Sequence, residues 1–240
     1  MERCDHLWPD GPVFYYDDAL FKPGTDAFLL AAFARPRARD RVCDLGAGTG
    51  LIGLVLLTRE SSLELHNVEL QESPLRLAER TARENALSVC QHLCDLRSLE
   101  GVLEAGSFDY VVSNPPYFSS GSGCTAPDPA RRIARQESCC TLEEVCAAAA
   151  RLLRWGGRFA LVHRPDRLCD LMTALRRSGL EPKRMRLVHH TTASAPSLVL
   201  LEGRRGGRPT LKVEPPLILR DEKGQETPEV QASYFRMMKH

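Results

Sequence analysis

The stretch "RVCDLGAGTGLIG", residues 41–53, determines how the rest of the chain is interpreted. Its first six residues form a short apolar run that leads into glycine, which is typical of a buried strand. The residues that follow, 49–60, carry apolar side chains at helical spacing. Glycines between a strand and a helix let a ligand approach the backbone, and the helix amino terminus favours a negative group. The stretch therefore predicts a strand, a ligand-binding turn and a helix.

Strand-like and helix-like segments alternate along most of the chain on both sides of this stretch. Further strands are predicted at 63–70, 88–94, 108–113, 158–163, 183–190 and 197–205. Helices are predicted at 49–60, 73–85, 141–155 and 165–179. Such alternation implies a parallel sheet. The last two strands are joined by only "TTASAP", which is too short for a helical crossover, so this pair should be antiparallel. We expect an α/β fold with a doubly wound sheet of seven strands, six parallel and the last antiparallel, with helices on both faces.

Two of the predicted helices carry clear end signals. Ser73 suits an N-cap, followed by Pro74 at the first helical position. Thr141 and Glu144 have the spacing of a capping box, and "GG" at 156–157 should end that helix. After residue 209 the chain has the apolar run "LKVEPPLIL", a turn at "DEKG" and a helix capped by "TP" at 227–228. We expect three parts: an N-terminal segment, 1–40, a central domain, 41–206, and a C-terminal extension, 207–240, packed on that domain.

The composition is that of a globular domain. The chain has 240 residues, of which 43% are hydrophobic and 26% charged, and its net charge is +1. No apolar run is long enough to span a bilayer, and the first 18 residues carry charge where a signal peptide would be apolar. The nine cysteines form no C-x-x-C pair, so we expect reduced thiols, no metal site and a cytoplasmic protein.

Charge is less even locally. Residues 176–208 hold eight basic residues and two acidic ones, and a second basic cluster is formed by Arg131, Arg132 and Arg135. Patches of this kind hold phosphates, although many are only solvated surface.

The glycine turn fits two patterns. Gly48, Gly50 and Gly53 fit G-x-G-x-x-G, and Glu69 follows at the end of the next strand, as in dinucleotide enzymes. However, Asp44 precedes Gly46, which extends the pattern to D-x-G-x-G-x-G. This longer pattern resembles the first motif of the Rossmann-like methyltransferases that use S-adenosylmethionine. An NAD(P) oxidoreductase remains the alternative on the glycine pattern alone.

The resemblance implies a cofactor site along the ends of the first three strands. In that family the glycine turn holds the amino-acid end of S-adenosylmethionine, which leaves as S-adenosylhomocysteine. The acid at the end of the second strand grips the ribose, and a later acid lies beside the adenine. Carried over by position, the cofactor-binding residues are Asp44, Gly46, Gly48, Gly50, Glu69, Leu70 and Asp95.

The sequence "NPPYF" at 114–118 follows the fourth strand of the predicted sheet. It resembles the acceptor motif of methyltransferases that act on a planar amino group. Such a nitrogen is a poor nucleophile because its lone pair is delocalised. The Asn114 side-chain oxygen and the Pro115 carbonyl would accept its two N–H groups and favour attack on the methyl group. Tyr117 would stack on the planar base, with Pro116 and Phe118 as substrate wall.

This motif occurs in enzymes that methylate adenine N6, guanine N2, cytosine N4 or the amide of glutamine. The glutamine enzymes usually carry a sizeable helical domain before the glycine turn, where this sequence has about forty residues, so we expect a different substrate. The segments 21–34, 134–137, 156–168 and 212–230 resemble the bacterial valine-tRNA adenine-N6 methyltransferase family, with "ARQE" at 134–137 where "ARHE" is expected. The resemblance implies methylation of adenine 37 of tRNA, with Thr25 and Asp26 also near the cofactor. The tRNA backbone would then be bound by basic residues of two clusters and around the end of the 158–163 strand, namely Arg131, Arg132, Arg135, His163, Arg164 and the stretch 176–208. A glutamine-amide or rRNA methyltransferase, and a silent RNA-binding relative, remain alternatives.

Overall fold

The computed structural model describes residues 1–18, 24–115 and 140–234. Its helices are α1 Thr25–Phe33, α2 Leu51–Arg59, α3 Glu72–Glu84, α4 Leu142–Leu152, α5 Leu168–Arg177 and α6 Pro228–Ser233. Its strands are β1 Glu2–His6, β2 Val13–Asp17, β3 Arg41–Leu45, β4 Glu64–Glu69, β5 Val89–Leu93, β6 Phe108–Ser113, β7 Leu153–His163, β8 Leu180–His189, β9 Pro196–Arg205, β10 Lys212–Val213 and β11 Leu217–Ile218.

The central sheet has the strand order β10-β8-β9-β7-β6-β3-β4-β5, and β11 also pairs with β8. Strands β5, β4, β3, β6 and β7 are mutually parallel, while β9 is antiparallel to both β7 and β8. Strand β8 therefore runs in the same direction as β7. The predicted arrangement of six parallel strands and one antiparallel strand is confirmed, and two short strands extend it at the β8 edge.

Each face of the sheet is covered by helices. On one face the side chains of β3, β4 and β6, such as Val42, Leu65 and Val112, pack with the buried residues of α1 and α2. On the other face Cys43, Val111 and their neighbours pack with the buried residues of α4 and α5. Because successive side chains of a strand point to opposite faces, the continuous apolar runs of the sequence fill both cores.

The helix ends follow the sequence signals in part. The capping box at α4 is confirmed: the Thr141 hydroxyl accepts from the Glu144 N–H at 3.2 Å, and Glu144 accepts from the Thr141 N–H at 2.7 Å. The predicted glycine stop was wrong, because α4 ends at Leu152 and β7 already runs through 156–157. The Ser73 cap was also wrong, since α3 begins at Glu72 and its N-cap position, Gln71, makes no side-chain cap.

The N-terminal residues include a hairpin that the sequence pattern did not indicate. Strands β1 and β2 pair antiparallel, and β2 lies on α3. The Val13 N–H donates to the Asn85 side chain at 2.9 Å, and the Tyr15 N–H donates to the Thr81 hydroxyl at 3.1 Å. All five residues of β1 are exposed, so this strand lacks the alternation of polar and apolar residues that marks a half-buried strand.

The tail packs on the same sheet and helices. Strands β10 and β11 pair parallel with β8. The predicted Thr227 cap of α6 is confirmed, because its hydroxyl accepts from the Val230 N–H at 3.4 Å. The Tyr234 ring lies 4.7 Å from that of Phe28 in α1. Among the helices of the described ranges, none has the length and apolar character that crossing a membrane requires.

Candidate active site

The carboxyl ends of the parallel strands meet along one edge of the sheet, called here the carboxyl edge. Gly46 follows β3, Glu69 ends β4, Asp95 lies just beyond β5, Asn114 follows β6, and Arg164 follows β7. Open α/β sheets bind ligands at this edge. The structure thus brings to one edge the predicted site residues that lie in these five strand-to-helix connections.

The glycine turn between β3 and α2 is held in a left-handed conformation. Gly46, Gly48 and Gly50 have φ angles of +72°, +54° and +77°. At Gly50 a side chain would also lack space, because a Cβ there would lie 3.0 Å from the Ala78 Cβ and 3.2 Å from the Asn67 amide nitrogen. The loop therefore packs against β4 and α3 at Gly50.

Glu69 organises the glycine turn. It is 8% exposed, and its two carboxylate oxygens accept from the N–H groups of Gly48 and Gln71, each at 2.8 Å. A carboxylate oxygen has two lone pairs, so each oxygen keeps one for a further donor such as a ribose hydroxyl. The next residue, Leu70, is 41% exposed and offers an apolar surface beside it.

Asp44 is the most unusual ionisable group at this edge. It is fully buried, and neither carboxylate oxygen has a hydrogen-bond partner among the described residues. Burial raises the pKa of Asp44 to about 7, the charge of Glu69 adds to the rise, and the nearby Gly53 N–H opposes it. A buried, unpartnered carboxylate near a second one favours a positive group beside it.

These features fit S-adenosylmethionine. The cofactor carries a positively charged sulfur, an ammonium beside a carboxylate, two ribose hydroxyls and a flat aromatic base. Asp44 and Glu69 supply the negative charge, Glu69 retains hydroxyl-accepting capacity, and Leu70 supplies apolar surface. The open space in front of Gly46 and Gly48, where a Cβ would meet nothing within 4 Å, admits a ligand to the backbone.

Asp95, the predicted adenine contact, is bound by its own neighbour. The Arg97 guanidinium donates to both carboxylate oxygens of Asp95, at distances of 2.6 to 3.0 Å. Hydrogen bonding from Arg97 lowers the pKa of Asp95 below its ordinary value, so Asp95 is ionised. The pair fixes the orientation of this carboxylate while leaving it 27% exposed.

The acceptor motif is tied to the glycine turn by a serine that the sequence analysis missed. The Ser113 hydroxyl, 1% exposed, donates to the carbonyl of Leu45 at 2.7 Å. Ser113 immediately precedes Asn114, and Leu45 immediately precedes Gly46. A small hydroxyl residue at the end of a buried apolar strand was the available signal. Pro115 is buried and Asn114 half-buried.

Several predicted substrate residues lie outside the described residues. They are Pro116, Tyr117, Phe118, Arg131, Arg132 and Arg135.

Arg164 lies at the same edge, directly after β7. Its side chain is 60% exposed and pairs with Asp166 at 3.1 Å. Its backbone N–H donates to the Nδ1 atom of His163 at 2.8 Å, and burial lowers the pKa of His163. His163 is therefore a neutral imidazole beside the acceptor strand.

The basic stretch 176–208 does not form a single surface beside this site. Arg184 is buried and pairs with Glu202 at 3.2 Å, and Arg186 pairs with Glu229 at 2.6 Å. Most of the other basic residues of the stretch lie at the opposite edge, where α5 ends, β8 begins and β9 ends.

A doubly wound parallel sheet with a glycine turn after its first parallel strand and an Asn-Pro sequence after the fourth defines a Rossmann-like methyltransferase. The family model described as "Methyltransferase small domain" matches residues 16–177, and the chain belongs to this family. The predictions of a methyltransferase and of its fold are confirmed, and the match favours them over the oxidoreductase alternative.

Two curated relatives that cover most of the chain share one name. A protein of Tolumonas auensis named tRNA1(Val) (adenine(37)-N6)-methyltransferase is 32% identical over 217 residues, covering 89% of this chain and 88% of that relative. A protein of the same name from Bacteroides fragilis is 30% identical over 191 residues, 78% of each chain. Among solved structures, a predicted O-methyltransferase from Agrobacterium tumefaciens superposes with a TM-score of 0.72 at 23% identity, covering 88% of this chain and 95% of that one. This last likeness shows the fold.

Proposed function

We propose that the chain transfers the methyl group of S-adenosylmethionine to the exocyclic N6 atom of adenine 37 in valine tRNA. The observation that carries the proposal is the position of Asn114 and Pro115 at the end of β6, joined to the glycine turn through the Ser113–Leu45 hydrogen bond. The names of the two curated relatives support the choice of adenine and of tRNA. A tRNA substrate supports the proposal that the protein works in the cytoplasm.

The cofactor supplies an electrophilic methyl group on a positively charged sulfur. Glu69 would hold its ribose with the lone pairs that Gly48 and Gln71 leave free, and Leu70 and Asp95 would lie beside its adenine. Asp44 would stabilise the positive charge of its amino-acid end together with the backbone of the glycine turn. These residues would direct the methyl group towards the end of β6.

The acceptor residues solve the problem of a weakly nucleophilic amine. The Asn114 side-chain oxygen and the Pro115 carbonyl accept the two N–H groups of the adenine amine and hold its nitrogen near the methyl group. Two such hydrogen bonds favour a pyramidal nitrogen with a free lone pair. The stiff Pro backbone keeps both acceptors aligned. After transfer, the nitrogen loses a proton to restore a neutral secondary amine.

The N-terminal segment, 1–40, would cover the cofactor site. The guanidinium of Arg59, in the last turn of α2, donates to the carbonyl of Ala31 near the end of α1 at 2.6 Å. The ends of the two helices are therefore in contact, which supports the proposal that the first turn of α1, with Thr25 and Asp26, lies near the glycine turn. In this division 41–206 is the catalytic domain, and 207–240 is an extension packed on it.

The RNA would be bound around Asn114. Tyr117 stacks on the extruded adenine, with Pro116 and Phe118 beside it. Arg164 contacts the phosphate backbone, since it is exposed at the carboxyl edge, and Arg131 and Arg135 are assigned the same task.

The decisive test is transfer of labelled methyl to unmodified tRNA from a strain that lacks the related enzyme. Digestion to nucleosides should yield N6-methyladenosine, mapped to position 37 of valine tRNA. Asn114→Ala should abolish transfer while retaining S-adenosylhomocysteine binding, because Asn114 contacts the acceptor amine. Label in ribosomal RNA or in a glutamine-containing protein, with none in tRNA, would overturn the assignment of tRNA as the substrate. Full activity of Asn114→Ala would overturn the mechanism.

A further inference from the structure

The edge opposite the active site carries an exposed tryptophan among cations. We call this surface the amino-edge patch, and it comprises Arg154, Trp155, Arg177, Lys183, Arg204 and Arg208. Trp155 is 75% exposed, although its ring lies against the backbone of Gly206, where a Cβ would come within 2.2 Å of it. The start of β7, the start of β8 and the end of β9 bring these residues together, because β9 runs antiparallel between the other two.

The positive charge of the patch exceeds the negative charge beside it, which comes from Asp109 and from Glu181, the cross-strand partner of Arg204. Arg154 pairs with Asp109. By contrast, Arg177, Arg204 and Arg208 are exposed, and none of them makes an ion pair with a carboxylate in the described parts of the chain. The Lys183 ammonium donates to the backbone carbonyl of Arg208 at 2.9 Å, which holds the chain after β9 against the start of β8.

The architecture of the patch is rigid. The Arg204 Nε atom donates to the carbonyl of Gly156 at 3.2 Å, so the end of β9 is joined to the bend beside Trp155. The Gly206 N–H donates to the carbonyl of Gly179 at 3.1 Å, which fixes the chain beneath the indole to the end of α5. A preorganised aromatic ring loses little entropy when it stacks on a ligand.

We propose that the amino-edge patch is a second RNA contact surface, remote from the active site. Arg177, Arg204 and Arg208 bind phosphates, and Trp155 stacks on a base. An exposed aromatic ring among uncompensated guanidinium groups is the combination that binds nucleic acid without sequence preference. The identity of the RNA as tRNA rests on the proposed function.

The distance between the two sites suits a folded RNA. The regular part of β7, from Arg158 to His163, spans five residue steps, which corresponds to roughly 17 Å at the rise of a strand. Trp155 precedes this part, where the register of β7 against β6 shifts, and His163 ends it at the carboxyl edge. One molecule could therefore place its target base at the carboxyl edge while a stem rests on the patch.

The first test compares variants of equal charge change. Arg208→Glu and the control Arg83→Glu each replace an exposed cation, but Arg83 lies in the last turn of α3 beside β5, at the far end of the sheet. Arg208→Glu and Trp155→Ala should each weaken tRNA binding by about tenfold at low salt. Arg208→Glu should also reduce the slope of log affinity against log salt by about one. Both variants should raise the KM for tRNA and leave kcat and S-adenosylhomocysteine binding unchanged.

A second test measures the fluorescence emission of Trp155. Trp8 is the other tryptophan of the chain, so Trp8→Phe leaves Trp155 as the single reporter. Adding tRNA should quench its emission, and high salt should restore it. Unchanged emission would overturn the proposal that the amino-edge patch binds RNA. Arg208→Glu and Trp155→Ala with the same affinity for tRNA as Arg83→Glu would overturn it as well. If the wild-type protein fails to methylate tRNA, the proposed function fails, while loss of binding in these variants still supports an RNA surface.

Discussion

Replacing Asp44 by Asn tests the electrostatics of the cofactor site without any ligand. Asn has the shape of Asp, so the substitution removes the titration while keeping the volume of a fully buried side chain. Burial, with the neighbouring charge of Glu69, raises the pKa of Asp44 to about 7 in the folded protein. An aspartate in an unfolded chain titrates near a pKa of about 3.9. The folded state therefore holds a proton on Asp44 across a pH range in which the unfolded state has lost it.

The sign and size of the effect follow from linkage. Because the folded pKa is the higher one, Asp44 contributes a stabilising term that is fully present below about pH 4 and is lost as the pH rises through about 7. Between pH 5 and pH 8 the wild-type protein should lose about 2.5 kcal/mol of unfolding free energy through Asp44. Asp44→Asn should lack this loss. Three other groups, with pKa values lowered by burial, change the slope in the opposite sense: His66, His92 and His163.

The assay is urea unfolding at pH 5, 6, 7 and 8 for both proteins, analysed as the difference between them. The histidines are common to both proteins, so their contributions cancel in the difference. The unfolding free energy of Asp44→Asn minus that of the wild type should rise by about 2.5 kcal/mol between pH 5 and pH 8. Most of this rise should be complete by pH 7. A difference independent of pH would refute the raised pKa of the buried Asp44 carboxyl group at the glycine turn.

Three further substitutions test the turn, the acceptor strand and a helix start. Gly50→Ala should weaken S-adenosylhomocysteine binding in calorimetry and lower the unfolding free energy by more than Gly101→Ala does. Both substitutions place a side chain at a positive φ, but only at Gly50 would the new Cβ lie 3.0 and 3.2 Å from neighbouring atoms. Equal losses of unfolding free energy would contradict this crowding. Ser113→Ala should lower the unfolding free energy by about 1–3 kcal/mol, because the buried Leu45 carbonyl loses its donor. It should also lower kcat more than it raises the KM for tRNA. An unchanged kcat would show that Ser113 does not position Asn114. Thr141→Ala should cost about 1 kcal/mol in urea unfolding with kcat unchanged, and Thr141→Ser should restore most of it.

The parallel sheet and the edge that carries the site were predictable from the sequence because they follow from local patterns. An apolar run that leads into "GAGTG" predicts β3 and its turn, and the later alternation of strands and helices predicts which strand ends meet. The short link between β8 and β9 fixed their antiparallel pairing. The helix limits were less accurate because tertiary contacts outweigh local signals, as at Leu153, where the chain pairs with Phe108 of β6 as soon as α4 ends.

Other features depend on contacts that no local pattern encodes. The Ser113–Leu45 hydrogen bond joins residues 68 positions apart, and the hairpin β1–β2 is held to α3 by residues 66 and 72 positions apart. The basic stretch 176–208 illustrates the same limit. Its charges are adjacent in sequence, but the turn of the chain buries Arg184 and sends Arg204 to the amino edge.

Glu69 shows why a ligand residue at this edge cannot be separated from the fold that presents it. A carboxylate that only bound ribose would have its oxygens free, yet both oxygens of Glu69 already accept backbone N–H groups at 2.8 Å. One of these, from Gly48, closes the glycine turn against the end of β4. Because a carboxylate oxygen has a second lone pair, binding a hydroxyl does not require release of the turn. Glu69→Gln replaces one acceptor oxygen by a donor NH2 group. Whichever way the amide is oriented, this NH2 group faces a backbone N–H, and two donors cannot form a hydrogen bond with each other. The loss of cofactor binding in that variant should therefore come with a loss of stability in the absence of any ligand.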